Sequence, residues 1–393
     1  MGALYSAAGQ EANLPGSAHP PYNRRMHIGI DCRLPTYRMG GISRYTIYLI
    51  EALSRLAGNE RYTIFHSHKE GRSFVPDDPR FSRSDLWTPC HHRLERQSLA
   101  LELARHRLDV LHSPDFIPPG GGARRHVITV NDLTFLHYPE FLTADSRRYY
   151  ADQIAWAVDR ADHISADSEV TRRDLITLLG APPHKVTTIH LAANPIFTAG
   201  YPDAAVAATT AELGIGSGFI LAVGTLEPRK NLPLLLRAYH RLRREAGVVV
   251  PLVLVGGKGW MYEEVFSTIE ALGLADFVHH LSSLSDVQLA HLYRAAGVLA
   301  FPSHYEGFGL PALEALHAGC PVVASDRGSL PEVVGEAGLL LPPDDLDGWG
   351  DALHRVLTDA ELAARLRRAG PRQAAQFTWR KTAEATLALY RGS

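Results

Sequence analysis

The side chains best placed for chemistry are two glutamates eight positions apart, Glu306 and Glu314. Glycines at 307 and 309 follow the first glutamate, and a helix predicted from Leu310 carries the second near its start. Glycine lets a ligand approach the backbone closely, and the amides of a helix N-terminus attract anions and hydroxyls. The two carboxylates could therefore bind two parts of one extended ligand, such as hydroxyls of two sugar rings. Taken singly, Glu306 could equally well be a solvated acid in a loop, and Glu314 an acid that the helix dipole favours near the helix start.

A second candidate group is the dipeptide Arg229-Lys230, which follows a predicted strand ending in Gly224-Thr225. A helix is predicted from Asn231, a residue that favours the N-cap position. Two cations beside a helix N-terminus suit a diphosphate. The bare dipeptide is typical of solvated surface, but its place in the first strand-to-helix turn of a second domain favours a phosphate site.

A third candidate pair, Asn131-Asp132, ends a predicted strand in the first half of the chain. Polar side chains at the carboxyl end of a sheet strand are well placed to bind substrate. An Asx turn that closes the strand accounts for the dipeptide equally well. Both residues are therefore candidate substrate ligands.

Missing patterns exclude several common chemistries. The sequence lacks GxGxxG after a strand, GxxxxGK[ST], HExxH and GxSxG, the usual nicotinamide, P-loop, metalloprotease and serine-hydrolase patterns. The histidine pairs His91-His92 and His279-His280 fit ordinary surface positions, because adjacent histidines point in different directions. The three cysteines are too far apart for a CxxC or zinc-finger pattern: Cys32, Cys90 and Cys320.

Short apolar runs alternate with amphipathic helical stretches, which predicts an α/β fold with two doubly wound, Rossmann-like units. The first unit has strands at 26–31, 62–65, 109–112, 126–131, 163–166 and 186–191, with helices after Gly40-Gly41 and at 92–106, 143–160 and 168–179. A weakly patterned connection at 194–218 precedes the second unit. Its strands are expected at 219–226, 250–256, 278–281, 298–301, 321–324 and 339–341, and its helices near 231–246, 260–272, 285–296, 310–318 and 345–357. Two facing units of this kind form a cleft lined by strand-to-helix loops.

Length and composition agree with two soluble domains. The chain has 393 residues, 46% of them hydrophobic and 21% charged. A formal net charge of −2 gives no general attraction to nucleic acid. Since no long apolar run or secretory signal is present, we expect a cytoplasmic protein. We predict a flexible leader at 1–25, an N-terminal domain at 26–197, a C-terminal domain at 198–376 and a terminal helix at 377–393.

Three motifs in this order resemble the retaining glycosyltransferases of family 4, which have the GT-B fold. They are Glu306-x7-Glu314, the loop Gly-Thr-Leu-Glu-Pro-Arg-Lys-Asn at 224–231, and Gly-Gly-Ile-Ser-Arg-Tyr at 40–45. The resemblance runs from about Met26 to the C-terminus. It implies a nucleotide-diphosphate sugar bound mainly by the second domain and an acceptor bound mainly by the first, with the terminal helix crossing back onto the first domain.

The resemblance also implies roles for individual residues. Glu314 would bind the donor ribose, and Glu306 the transferred hexose. Arg229 and Lys230 would hold the leaving diphosphate, and fixed cations there would replace a divalent metal, so we expect no metal or other cofactor. The catalytic set would be Arg229, Lys230, Glu306, Asn131 and Asp132. The remaining donor-binding positions would contact the donor mostly through their backbone atoms. They are Gly41, Gly224, Thr225, Gly307, Phe308, Gly309 and Leu310.

The family often has His-Asp where this chain has Asn131-Asp132. Asn131 can bind a hydroxyl but cannot carry a proton at neutral pH, so any acid or base help would come from Asp132 or His137. The sequence leaves that choice open, along with the sugar, the acceptor and the oligomeric state. General similarity favours a GDP-linked mannose over UDP-linked hexoses, with a glycan, lipid-linked or small-molecule acceptor.

Arginine pairs on the first domain leave open a peripheral contact with an anionic membrane face, although such pairs are usually solvated. These pairs are Arg124-Arg125, Arg147-Arg148 and Arg172-Arg173. Two other classes of function remain as alternatives: a GT-B epimerase or phosphorylase, and a non-catalytic sugar-nucleotide binding module. The binding module requires the four charged residues of the two main motifs to lie on separate surfaces.

Overall fold

The computed structural model describes residues 25–141 and 144–392 and contains two parallel β-sheets with helices on both faces. The first sheet has seven strands: β1 (His27–Asp31), β2 (Arg61–Ser67), β3 (Phe81–Leu86), β4 (Leu108–Ser113), β5 (Ala123–Val130), β6 (His163–Ala166) and β7 (Val186–Thr188). Their order across the sheet is β3-β2-β1-β4-β5-β6-β7. The order reverses between β1 and β4, which is where ligands bind in folds of this class.

The second sheet has six strands: β8 (Ile220–Val223), β9 (Leu252–Val255), β10 (Val278–Leu281), β11 (Val298–Phe301), β12 (Val322–Ser325) and β13 (Gly338–Leu341). Their order is β10-β9-β8-β11-β12-β13, with the reversal between β8 and β11. Strands β11 and β12 are buried along their whole length. That burial on both faces explains why they form continuous apolar runs in the sequence.

Most of the helices lie between successive strands and form crossovers of the parallel sheets, and the last ones follow the final strand. In the first half they are α1 (Gly41–Ser54), α2 (Glu95–Ala104), α3 (Thr134–His137), α4 (Ala144–Arg160) and α5 (Glu169–Leu179). In the second half they are α6 (Asp203–Glu212), α7 (Leu232–Ala246), α8 (Glu263–Ala271), α9 (Asp286–Ala295), α10 (Leu310–His317), α11 (Leu330–Val334), α12 (Leu346–Thr358), α13 (Ala360–Ala374) and α14 (Trp379–Arg391).

The terminal helix α14 packs against the first domain, as the resemblance implied. The Trp379 ring lies 5.4 Å from the Tyr48 ring and 6.3 Å from the Tyr45 ring, centroid to centroid, on α1. At the other end of α14, the Tyr390 hydroxyl lies 2.6 Å from His112 Nδ1 at β4. Tyr390 is fully buried. The chain therefore leaves the second domain and ends as a part of the first domain's core.

Several elements differ from the sequence prediction. The edge strand β3 was not predicted, since Phe81 and Leu86 are the only apolar residues of its FSRSDL sequence. Helix α6 lies inside the stretch that we expected to be a connection, and α13 was not predicted either. The proposed leader lies outside the described residues apart from Arg25, as do the side chains of Arg147 and Arg148. Among the described helices, none has the length and apolar character needed to cross a bilayer.

Candidate active site

A cavity of about 400 Å³ lies between the two domains, at the carboxyl ends of both sheets. From the first domain it is lined by Gly41, Asn131 and Asp132, and from the second by Thr225 and Arg229. Each of these positions was predicted to contact substrate. The loops that follow β5 and β8 therefore face one another across a single cleft.

At the second domain's side of this cleft, three charged residues form a buried cluster. Arg229 Nη1 donates to Glu306 Oε2 at 2.7 Å, and Lys230 Nζ donates to Glu306 Oε1 at 2.6 Å. On the other side of the guanidinium, Arg229 Nη2 donates to Glu227 Oε1 at 2.7 Å. Two cations from the loop after β8 thus lie beside a carboxylate from the loop after β11, as the sequence motifs predicted.

The charges in this cluster support one another. Burial alone would raise the pKa of Glu306, but Arg229 and Lys230 outweigh it and hold that pKa at about 2. Burial would lower the pKa of Arg229, yet Glu306 and Glu227 raise it. Burial and the neighbouring Arg229 lower the pKa of Lys230. Lys230 is therefore a cation that additional negative charge would stabilise.

Glycine is required at two positions by contacts within the protein. A Cβ at Gly307 would collide with the carbonyl oxygen of Asn131 and lie 2.7 Å from Asp132 Cβ, so the two domains touch at this point. Gly224 has φ of 146°, and a Cβ there would lie 3.0 Å from Lys230 Cε. A Cβ at Gly41 would meet no protein atom within 4 Å. Of these three glycines, Gly41 alone borders the cavity, and the space where a Cβ would lie is open.

Helix α10 carries the rest of the predicted donor site. It begins at Leu310 after Gly309, whose φ of 89° favours glycine. The Phe308 ring packs in the core beside Phe377, so only its backbone could contact a donor. The positive end of the helix dipole faces the cleft-side loop that holds Glu306.

Glu314 lies apart from the charged cluster. Its Oε2 accepts a 2.9 Å hydrogen bond from the Tyr293 hydroxyl. Burial raises the pKa of Glu314 to about 8, with the Tyr293 hydrogen bond and the charge of Arg44 opposing the shift. The structure therefore brings Arg229, Lys230 and Glu306 together and places Glu314 in a separate hydrogen-bonded environment farther along α10.

Both members of the pair Asn131-Asp132 border the cavity, and each also has a structural partner. Asn131 Nδ2 donates to Asp167 Oδ2 at 2.7 Å, while Asp132 Oδ1 accepts from the Thr134 amide at 3.0 Å. The Asx-turn alternative therefore describes Asp132 correctly, and it does not remove the side chain from the cleft. His137 is held elsewhere, with Nε2 2.7 Å from Asp174 Oδ2. Tyr305 Oη of the second domain donates to the same oxygen at 2.5 Å.

Asn231 occupies the N-cap position of α7, as predicted, but its side chain makes no capping hydrogen bond. The residue adopts a left-handed conformation with φ of 51°. Its side-chain Nδ2 instead donates to the Pro343 carbonyl at 2.6 Å. Arg229 and Lys230 consequently sit in a short 3-10 turn, Pro228–Lys230, that precedes α7.

Two further residues that border the cleft did not stand out in the sequence. Glu227, which binds Arg229, lies in the same loop but was not singled out. His91 is exposed, as expected of a surface residue, and it also borders the cleft with its Nε2 2.6 Å from Asp115 Oδ2. Nothing in the sequence near His91 distinguishes it from His92. Across residues 25–141 and 144–392, no three His, Cys, Asp or Glu side chains are arranged to hold a metal ion.

Family models match both halves of the chain. The model for glycosyl transferases group 1 covers residues 211–373, and the model for Glycosyltransferase Family 4 covers residues 39–195. The O-antigen chain mannosyltransferase B of Escherichia coli is 32% identical over 373 residues, which are 90% of this chain and 97% of that protein. The D-inositol 3-phosphate glycosyltransferase of Mycolicibacterium smegmatis is 38% identical over 239 residues, 59% of this chain and 53% of that protein.

Solved structures share the two-domain architecture. Sucrose-phosphate synthase from Thermosynechococcus elongatus superimposes with a TM-score of 0.74 at 22% identity, covering 94% of this chain and 99% of that one. Anabaena HepE in complex with UDP-glucose superimposes with a TM-score of 0.73 at 17% identity, covering 94% of this chain and 100% of that one. WaaG, a glycosyltransferase involved in lipopolysaccharide biosynthesis, has a TM-score of 0.72 at 17% identity, with the same coverage of 94% of this chain and 100% of that one. The chain belongs to the family 4 glycosyltransferases and has the GT-B fold.

Proposed function

We propose that this glycosyltransferase moves a hexose from a nucleotide-diphosphate sugar to an acceptor hydroxyl, with retention of configuration and without a metal. The observation that carries the proposal is the convergence of Arg229, Lys230 and Glu306 at the strand-order reversal of the second sheet. The leaving diphosphate binds the two cations beside the start of α10. Fixed positive charge in a water-poor site stabilises the negative charge that develops on the leaving group.

Glu306 keeps the two cations in place before the donor binds. Its carboxylate is buried and bound to both, so the cations need little reorganisation when a diphosphate arrives. The resemblance assigns the transferred hexose to the same glutamate and the amides that follow it. A hexose hydroxyl bound there would lie next to the bond that breaks. Precise orientation of the reacting groups has its largest effect on the rate at this point.

We propose retention through departure and attack on the same face of the sugar. Among the described residues, the carboxylates that border the cleft each already have a partner: Asp132 accepts from the Thr134 amide, Asp115 binds His91 and Glu227 binds Arg229. Leaving-group oxygens beside Arg229 and Lys230 would then accept the acceptor proton. NMR of the product tests this point: the new linkage should have the donor's anomeric configuration, and an inverted linkage would refute it.

For the donor we propose GDP-mannose first and UDP-linked hexoses second. The full-length similarity to a mannosyltransferase of Escherichia coli supports mannose, and the UDP-glucose complex of a structural neighbour supports the alternative. The test is to incubate the protein with each labelled sugar nucleotide and a glycan acceptor, in excess EDTA. Transfer should persist in EDTA; loss that Mg²⁺ restores would contradict the metal-free reaction.

The same experiment separates the alternatives. A phosphorylase would release sugar phosphate from the glycan when inorganic phosphate replaces the sugar nucleotide, and an epimerase would convert the donor with no acceptor. The binding-module alternative required Arg229, Lys230, Glu306 and Glu314 to be scattered. Because the first three share one buried cluster, that alternative loses its main support.

We also propose a cytoplasmic protein that touches an anionic membrane face. The arginine pairs give this little support, since Arg125 donates to the Tyr390 carbonyl and Arg172 binds Glu169. Better support comes from three exposed apolar side chains before and within α2: Trp87 (72% exposed), Leu94 (57%) and Leu101 (78%). Exposed tryptophan and leucine side chains are typical of interfacial contacts. Sedimentation with phosphatidylglycerol vesicles should be lost in Trp87→Ala combined with Leu101→Ala, and unchanged binding would refute this surface.

A further inference from the structure

We infer that His91 and Asp115 are the residues that position the acceptor, and that the acceptor meets them as an uncharged pyranose ring. The inference rests on the proposed glycosyl transfer. It assigns a task to a histidine–carboxylate pair that none of the three sequence motifs contains.

The pair lies where the first sheet offers a binding site. Asp115 follows β4, one of the two strands between which the strand order reverses. The crevice at such a reversal is the usual ligand position in doubly wound sheets. His91 and Asp115 both border the interdomain cavity, as do Asn131 and Asp132 after β5. The pair thus occupies on the first sheet the place that the charged cluster occupies on the second.

Buried side chains hold the backbone of His91 in a left-handed conformation. Its φ is 60°, a region that few residues other than glycine enter, histidine, asparagine and aspartate being the most frequent among them. The His91 amide donates to Glu95 Oε2 at 2.7 Å, and Arg33 Nη2 donates to Glu95 Oε1 at 2.7 Å. Arg33 is 1% exposed and also binds Asp31. Unusual backbone conformations supported in this way concentrate at functional sites.

The pair has the chemistry to bind a hydroxyl. Asp115 accepts a 2.6 Å hydrogen bond from the imidazole, and that bond raises the pKa of His91 against the opposing effect of burial. Glu95 also raises the pKa of the His91 imidazole, and Arg33 lowers it. An imidazole beside a carboxylate offers both a hydrogen-bond donor and an acceptor to one hydroxyl group.

An aromatic wall next to the pair indicates the rest of the ligand. Phe116, Phe135 and Tyr150 border the same cavity and pack together, with ring centroids 5.7 to 6.3 Å apart. Pockets for small organic ligands combine such apolar walls with a few convergent polar groups. A pyranose has an apolar C–H face and hydroxyls at its rim, so one ring can cover the wall while a hydroxyl reaches His91 and Asp115.

NMR titration tests the assignment on the full chain with a nucleoside diphosphate bound. The probes are the methyl pyranosides of mannose, glucose and galactose, and His91→Asn identifies the His91 ring resonance. Asparagine tolerates the left-handed backbone, so this variant should fold. At least one probe should shift the His91 resonance and leave His92 unmoved. The inference is overturned if no probe shifts His91, or if His92 responds equally.

Kinetics provides the second arm. In His91→Asn and in Asp115→Asn the acceptor KM should rise about tenfold or more, the scale for losing a hydrogen bond to a charged group, with a smaller change in kcat. The wild-type acceptor KM should also increase as the pH rises through the pKa of His91, and His91→Asn should abolish that dependence. The matched control His92→Asn should behave as the wild type. Unchanged acceptor KM in both variants refutes the inference, whereas absence of any sugar-nucleotide turnover in the wild type refutes the proposed function instead.

Discussion

At the carboxyl edge of the second sheet, the loops after β8 and β11 bring together Arg229, Lys230 and two glutamates. At the same edge of the first sheet, the loops that border the cleft carry a histidine–aspartate pair, an Asn-Asp dipeptide and an aromatic wall. The second sheet reverses its strand order between β8 and β11, and the first sheet reverses it between β1 and β4, the strand that precedes Asp115. Similar topologies therefore present a buried cluster of ion pairs on one side of the cleft, here called the charged side, and separate hydrogen-bonding and aromatic side chains on the other, here called the neutral side.

The difference between the two sides matches the two substrates of a transfer reaction: the second domain is suited to the diphosphate of the donor and the first domain to the acceptor. A diphosphate needs fixed cations, which can be buried only when carboxylates compensate them. A sugar acceptor needs directional hydrogen bonds and apolar contact, which buried charge would disturb. Close contact at Gly307 and Asn131 brings the two surfaces together, so each side can act on the same reacting atoms.

The largest effect is expected from removing a cation on the charged side. Lys230→Ala should lower kcat/KM by about 10²-fold or more, the scale for one preorganised transition-state contact. Steady-state kinetics with the donor that supports turnover measures this. Lys69→Ala, an exposed lysine on the first domain, is the matched control and should keep wild-type activity. Wild-type turnover in Lys230→Ala would remove the charged side from catalysis.

The contact between the two sides should be nearly as sensitive. Gly307→Ala places a methyl group against Asn131 and Asp132, so the domains must separate and misplace the reacting groups. We expect kcat/KM to fall on the order of 10²-fold, as displacements of about 1 Å can cause. Gly350→Ala on α12, with open space around the new methyl group, should retain activity. Equal activity of the two variants would show that this contact is not needed.

A smaller effect is expected at Glu314, which lies outside the cluster. Glu314→Ala should raise the donor Kd by about tenfold, because it removes one hydrogen-bonding carboxylate from the proposed ribose site. Calorimetry with the nucleoside diphosphate measures the change, with the exposed Glu361→Ala on α13 as control. An unchanged Kd would contradict the ribose assignment and confine the donor site to the cluster.

The smallest effect concerns stability on the neutral side. Burial raises the pKa of Asp167 to about 8 from 3.8, so the folded protein retains a proton that the unfolded chain releases. Its contribution to stability therefore decreases as the pH rises through that window. Asp167→Asn keeps an acceptor for Asn131 and cannot ionise. Its Tm relative to wild type should increase by about 2 °C or more between about pH 5 and about pH 8. A constant difference across that range would show that Asp167 is ionised in the folded protein.

Local patterns predicted the charged side well and the neutral side poorly. Strands β6, β10 and β11 match the predicted ranges because short apolar runs are bounded by turn residues. Since parallel strands bring their carboxyl ends to one edge, Arg229 and Glu306 could be placed together from sequence alone. The role of His91 depends on Asp115, 24 positions away, and on Arg33 beneath it, which no local pattern reveals. Asn231 shows the converse, since its side chain binds Pro343 instead of capping the helix that its type predicts.

The most direct test of the account is a crystal structure with a nucleoside diphosphate bound. We predict that the two phosphates lie between Arg229, Lys230 and the start of α10, with Lys230 Nζ within hydrogen-bond distance of a phosphate oxygen. The ribose should then lie beside Glu314. Phosphates bound elsewhere, with Lys230 still paired only to Glu306, would contradict the central claim that this cluster holds the leaving group.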